Sequence, residues 1–321
     1  MPEPKHYFIG IDVGGTSVKE GLFDEEGNLL GKASVPTPPL IDQAGYDAVI
    51  GGIDRLCGEA RILAPFIRGI GLAVPCPVPA SGEISLMANI ELDAPGLKAA
   101  LEARCPNAVV KYGNDANAAA MGELWQGAAK GAQSMVMVTI GTGVGGGVVV
   151  NGDVIDGTNG AGGEIGHMCL NPAETRVCGC GNRGCLEQYA SATGVVSNYL
   201  HECELAGVKP RVLTGTSDSR TVFQACREGD EVAWRAVETM TDYLGRALAI
   251  VSSIADPEKF VLGGGASASA DVYLEKLREK YRGYALAVCA DTPIEVASLG
   301  NGAGIIGAAY IALRASTVTD L

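Results

Sequence analysis

Histidine is nearly absent from this sequence, with three residues in the whole chain, and positive charge is scarce: 24 Lys and Arg stand against 37 Asp and Glu. The resulting net charge of −13 excludes a general nucleic-acid surface, because neutralising phosphates takes clustered Lys and Arg. It favours solubility instead. No apolar run approaches the ~20 residues needed to cross a bilayer. The opening MPEPKHYFIGID lacks the charged, then apolar, then small-residue pattern of an export signal, so a cytoplasmic protein is expected. That compartment disfavours disulfides among the ten cysteines. No Pro/Ser-rich linker marks a domain boundary. The phosphate loop G-x-x-x-x-G-K-[ST] is missing as well, which excludes a Walker-type nucleotide site.

What is present is glycine, at 45 residues, in a chain that is 47% hydrophobic and 19% charged. This is the balance of a well-packed globular protein, with enough length for two domains. YFIGID at 7–12 reads as a buried strand followed by a glycine turn, SVKEGLFD as a second strand and LLGKASVPT as a third. Residues 44–64 have helical spacing, RGIGLAVP and NAVVKYGND read as strands, and a helix follows over 116–130. At 135 the opening layout returns, since MVMVTIGTGVGGGVVVNG again gives strand, glycine turn, strand. IDVGGTSVKEGLF and IGTGVGGGVVVNG match weakly residue by residue but share this layout, which predicts two duplicated α/β domains with a ligand cleft between them. Farther on, 230–254 reads as a long amphipathic helix, EKFVLGGG as a strand, 271–282 as a helix, IEVASLG as a strand and GAGIIGAAYIALR as a small-residue helix. The expected division is 1–118 with 302–321 in one domain and 119–301 in the other.

Three glycine turns, DVGGTS at 12–17, GTGVGGG at 141–147 and LGGGA at 262–266, each follow an apolar strand. Glycine lets backbone N–H groups reach phosphate oxygens without a Cβ in the way. One such turn is commonly only a turn; three, two of them counterparts in the repeat, point to a nucleotide. Asp12, at the first strand's end, suits a Mg²⁺ carried on the phosphates. In GNDANAAA at 113–120 a strand turns into a helix. Asn114, Asp115 and Asn117 there read either as helix caps or, beside phosphate turns, as the seat of a general base for transfer to a hydroxyl.

GEIGHMCLNPAETRVCGCGNRGCLE, at 163–187, gathers one of the three histidines with four cysteines. His167, Cys178, Cys180 and Cys185 fill a tetrahedral Zn²⁺ shell, with Cys169 spare. The alternatives are packing cysteines, which the polar glycine-rich context opposes, and a redox pair, which a reducing compartment opposes. A closed Cys₃His shell has no position for water, so this zinc is structural. The other six cysteines read as small packing residues.

DVGGTSVK, VPCPV, NDAN, IGTGVGGG, GGEIGH with CGCGNRGCLE, and LGGG occur in the order found in the ROK (repressor, open reading frame, kinase) family, which the chain resembles from 7 to 313. Within it the chain is most similar to bacterial ATP-dependent glucokinases, notably in GCLEQYASATG. The resemblance implies an actin-like ATPase (ribonuclease H-like) fold with sugar and MgATP in the cleft, and ATP-dependent phosphorylation of a hexose at its 6-hydroxyl, glucose first. Fructose, mannose or an N-acetylhexosamine are the alternative acceptors. By motif, Asp115 is the base, while Asn89, Asn114, Glu164, His167 and Glu187 bind the sugar, His167 also serving the zinc. Gly14, Gly15, Thr16, Thr142, Gly143 and Gly264 fall in the nucleotide turns. A homodimer or higher homo-oligomer, with no nucleic-acid or membrane partner, is implied too. Some relatives are sugar-responsive regulators, but these need a helix-turn-helix ahead of the first glycine turn, which here begins at residue 12 and leaves no room. Three positions depart from the family pattern: Cys76 stands where Gly is common, no Trp follows NIEL at 89–92, and Gly302 stands where an acid is frequent.

Overall fold

The structure is a computed structural model that describes residues 5–79, 81–82, 84, 90–211 and 219–319. The first elements are β1 (Tyr7–Val13), β2 (Ser17–Asp24), β3 (Leu29–Pro36), α1 (Gln43–Ala60), β4 (Ile67–Val74), α2 (Ala94–Arg104), β5 (Val109–Asn114) and α3 (Asp115–Gln126). There follow β6 (Met135–Ile140), β7 (Val144–Val150), β8 (Asp153–Val154), α4 (Glu187–Ala190), α5 (Ala192–Ala206), α6 (Ser219–Arg227) and α7 (Glu231–Ala255). The chain continues through β9 (Lys259–Gly263), α8 (Ala270–Tyr284), β10 (Ile294–Val296) and α9 (Ala303–Thr319). None of the described helices is long and apolar enough to cross a membrane.

Two compact units result, one of 1–131, 153–162 and 298–321, the other of 132–152 and 163–297. These contact boundaries differ from the expected 118 and 302. α3 packs along α9 and so stays with the first unit, and residues 153–162 return to that unit.

The strand orders make the internal repeat visible. The first sheet runs β3-β2-β1-β4-β5, and the second, β10-β9-β6-β7-β8, is the same order read from its other end. In each, the strand before the glycine turn pairs antiparallel with the strand after it: β1 with β2, and β6 with β7. In each, that same strand pairs parallel on its other side, β1 with β4 and β6 with β9. A parallel pair needs a long crossover, which places helices on the sheet and buries both its faces. Ile9, Ile11, Leu22, Ile53, Leu56, Ile70 and Leu72 form the first core. Val136, Val138, Leu244, Leu248, Phe260 and Leu262 belong to the second.

The small residues of α9 allow backbone-close packing in the first unit. A Cβ on Gly10 would lie 1.8 Å from the Ile305 carbonyl oxygen, and one on Gly71 1.8 Å from that of Ala308. Gly307 meets the Ala118 carbonyl of α3 in the same way, at 1.6 Å. Helix ends follow local chemistry. α1 stops at Ala60 because Arg61 takes a left-handed φ of 57°, short of the expected 64, and α3 stops before Gly127 rather than at 130. α2, α5 and α6 are additions to the sequence reading. α2 is capped by Asp93, which accepts from Gly96 N–H, and α5 by Ser191, which accepts from Gly194 N–H.

Candidate functional site

The first unit supplies a glycine turn and a carboxylate. Between β1 and β2, Gly14 N–H donates to the Ser17 carbonyl at 3.1 Å. Thr37, just beyond β3, holds the turn from outside: its Oγ1 donates to the Gly14 carbonyl at 2.5 Å and its N–H to the Thr16 carbonyl at 3.2 Å. Gly15 and Thr16 are exposed, and a Cβ at Gly15 would meet nothing. Packing therefore leaves Gly15 open space, as a loop that hugs a ligand requires. Asp12 pairs with its cross-strand partner Lys19 at 3.4 Å, and its carboxylate lies 3.0 Å from where a Cβ on Gly304 would sit, at the start of α9.

At the junction of β5 and α3, Asn114 is the N-cap, its Oδ1 accepting from the N–H of Ala116 at 2.9 Å and of Asn117 at 3.2 Å. Its Nδ2 donates to the Cys76 carbonyl at 3.2 Å. Asp115 is the first helical residue, where negative charge complements the helix dipole; its Oδ1 accepts from Ala116 N–H at 2.8 Å. Burial, and then the charge of Asp115, raises the Cys76 thiol above its ordinary pKa. Asn117 is buried and donates to Asp156 at 3.0 Å. Burial raises the Asp156 carboxyl, with that hydrogen bond and Lys111 pulling it back. Asn89, expected to bind sugar, lies outside the described residues.

Sequence reasoning missed Glu123, a fully buried acid on α3. Its carboxylate accepts from the N–H groups of Ala128 at 2.7 Å, Ser298 at 3.0 Å and Leu299 at 2.8 Å, fixing the approach to α9. Such multiple backbone donors are what a buried carboxylate requires. No local pattern signals it, since two of its donors, Ser298 and Leu299, lie far along the chain.

The second unit supplies the other two turns and the cysteine loop. Gly264 has a φ of 82°, and a Cβ there would lie 2.5 Å from the Ile140 carbonyl oxygen, so it is glycine by necessity. Glycines also seat GGEIGH. A Cβ on Gly166 would fall 1.9 Å from the Val144 carbonyl oxygen, and one on Gly146 2.5 Å from that of Gly163. These contacts fix the backbone on either side of Glu164, which is exposed, and His167, which is half-buried.

The His167 nitrogen and the Cys178, Cys180 and Cys185 sulfurs all lie within 4.8 Å of one another. Cys180 Sγ is 3.7 Å from Cys185 Sγ, and His167 Nδ1 is 3.8 Å from Cys178 Sγ. For Zn–S bonds of ~2.3 Å a tetrahedral edge is ~3.8 Å, which these two separations match, and one imidazole with three thiols is a donor set that suits zinc. Nδ1 faces the sulfurs, which leaves Nε2 on the other side of the ring. Cys169 is exposed and bridges to Cys185 through the backbone, apart from the four donors. Burial pushes the Cys178 thiol up and that of Cys185 to about 12, whereas the Asn182 backbone N–H lowers Cys180. Glu187 accepts from Val144 N–H at 3.0 Å, immediately after the turn of Thr142 and Gly143.

The ROK family model matches residues 8–315. A glucokinase of Halalkalibacterium halodurans is 37% identical over 320 residues, which cover 95% of this chain and 94% of that protein. A solved ROK hexokinase from Thermus thermophilus is 35% identical with a TM-score of 0.82, covering 98% of this chain and 100% of its own. A ROK family glucokinase from Streptomyces griseus, solved in complex with glucose and AMPPNP, is 31% identical with a TM-score of 0.73, covering 96% of this chain and 99% of its own. The two α/β units with repeated strand order are those of the actin-like ATPase fold, and the chain belongs to the ROK family.

Proposed function

We propose that the protein is an ATP-dependent hexose kinase that transfers the γ-phosphoryl group of ATP to a sugar 6-hydroxyl, with glucose the first substrate and ADP the other product. The kinases among its relatives support the reaction class. The observation that carries the residue assignment is the division at the start of α3: Asn114 does the capping, so Asp115 is not needed as the cap. Asp115 accepts the 6-hydroxyl proton as that oxygen forms its bond to the γ-phosphorus and the bond to the ADP oxygen breaks. Asn89, Asn114, Glu164, His167 and Glu187 hydrogen-bond the sugar hydroxyls, offering both donors and acceptors. A polar site of this kind rejects analogues that leave one of its groups unpaired.

Gly14, Gly15, Thr16, Thr142, Gly143 and Gly264 hold the nucleotide, and Asp12 assists the Mg²⁺ that accompanies it. His167, Cys178, Cys180 and Cys185 hold a structural Zn²⁺, which supplies geometry and no reacting group. With Nδ1 toward the metal, His167 keeps Nε2 for a sugar hydroxyl. Reduced thiols suit a cytoplasmic enzyme, the setting we assign. The test is an ADP-release assay across glucose, fructose, mannose and N-acetylglucosamine, with glucose expected to give the highest kcat/KM. Absence of turnover with all four would sink the kinase reading, and a better turnover of N-acetylglucosamine would reassign the sugar.

A further inference from the structure

Glu187 does more in this structure than present a carboxylate. Its Oε2 accepts from Val144 N–H at 3.0 Å, and a Cβ on Gly143 would lie 2.3 Å from the same oxygen. The carboxylate therefore occupies the space that the missing side chain of residue 143 leaves. Its Oε1 lies 3.5 Å from Cys178 Sγ in the cysteine–histidine cluster. Five residues farther on, Ala192 N–H donates to the Gly141 carbonyl at 2.8 Å. Thr193 Oγ1 then donates to the Thr142 carbonyl at 3.0 Å, and is itself 2.9 Å from Ser191 Oγ. Three consecutive peptide groups of the 141–144 turn are thus held by one seven-residue segment that begins two residues after Cys185.

We infer that the segment from Glu187 to Thr193 is a strap that couples the cysteine–histidine cluster to the 141–144 turn, and that Glu187 is a positioning residue for nucleotide binding as well as a sugar contact. The inference rests on the reading above that this turn holds the nucleotide. A glycine turn has many backbone conformations, and one that binds phosphates must present its N–H groups in a single one. Glu187 selects that conformation at Val144, and α5 selects it at Gly141 and Thr142. Removing the carboxylate leaves the Val144 N–H without its acceptor and opens the space beside Gly143.

The test is calorimetric titration of the wild-type protein and of Glu187→Ala, Glu187→Gln and Thr193→Val with ADP and, separately, with glucose. Loss of a charge-assisted hydrogen bond in Glu187→Ala is expected to weaken ADP about tenfold, and glucose with it. Glu187→Gln keeps an oxygen for the Val144 N–H, so ADP affinity stays within about threefold while glucose weakens. Thr193→Val weakens ADP by about threefold or more and spares glucose, and this variant carries the test alone if Glu187→Ala does not fold. Wild-type ADP affinity in both Glu187→Ala and Thr193→Val overturns the strap while leaving the kinase assignment intact. A wild-type protein that binds no nucleotide overturns both.

Discussion

Asn114 caps α3, and in the proposed kinase Asp115 beside it is the base. The pattern GNDANAAA left cap and base as competing readings of the same stretch; the backbone makes Asn114 the cap and puts Asp115 just inside the helix, which fits the proposed base without testing it. Asp115→Asn keeps the shape and hydrogen-bonding reach of the side chain but cannot take a proton. Its kcat is expected to fall by ~10²–10⁴, the usual contribution of a general base, with glucose affinity little changed. Direct glucose binding measured beside kcat checks this, and a kcat near wild type would move the base elsewhere. Glu123 and Thr37 were not legible at this scale because their partners are remote. The backbone donors that satisfy Glu123 lie up to 176 residues later in the chain, and no local pattern announces them.

Among elements, strands β1, β2, β6 and β7 were readable because apolar runs bounded by glycine turns leave little choice, and the long period of α7 was equally plain. α2, α5 and α6 escaped because helices in proteins take much of their stability from tertiary packing rather than from propensity. In α5 the sequence ATGVVSNYLHECELA has a glycine and two valines in its first turns, poor helix formers, yet Val195, Val196 and Tyr199 are buried in the second core. The clustering of His167, Cys178, Cys180 and Cys185 was legible in the C-x-C-x₄-C spacing and its glycine-rich context, and the fold brings the four donors together. The loop carries backbone bonds of its own, from Cys178 N–H to the Asn182 carbonyl at 2.7 Å and from Gly181 N–H to the Cys178 carbonyl at 2.9 Å, around Gly181 and Gly184 at φ of 88° and 72°. Protein prepared without added metal is expected to carry about one Zn²⁺ per chain by elemental analysis. Cys180→Ser should lose that zinc, lower the melting temperature and weaken glucose binding together. A drop in melting temperature with unchanged glucose affinity would show that the cluster does not position Glu164, His167 and Glu187.

At the scale of the whole molecule, the repeated strand order explains both what the sequence displayed and what it hid. Two copies of one topology made the glycine turns recur, and that recurrence was a clue to a nucleotide-binding fold. The same topology covers the first sheet with helices on both faces, so β2 does not alternate between core and solvent: Glu20, Gly21, Leu22 and Phe23 are all buried. An acid such as Glu20 ordinarily sits on a strand's solvent face. Glu20 is instead fully buried against α1, its Oε2 in the space a Cβ on Gly52 would need, and neither carboxyl oxygen has a hydrogen-bond partner. Burial pushes its pKa up to about 8 from an ordinary 4.5, with Arg55 pulling the other way. Between those values the folded protein holds a proton that the unfolded chain has released, so the contribution of Glu20 to stability is complete below pH 4.5 and is lost as pH rises through 8. The cost of carrying this carboxyl at pH 9, relative to acid, is on the order of 4–5 kcal/mol. Glu20→Gln removes the titration and keeps the volume. Its melting temperature relative to wild type should therefore climb steadily from pH 5 to pH 9, by at least about 5 °C. Parallel melting curves for the two proteins across that range would mean that Glu20 stays charged and finds a partner in solution.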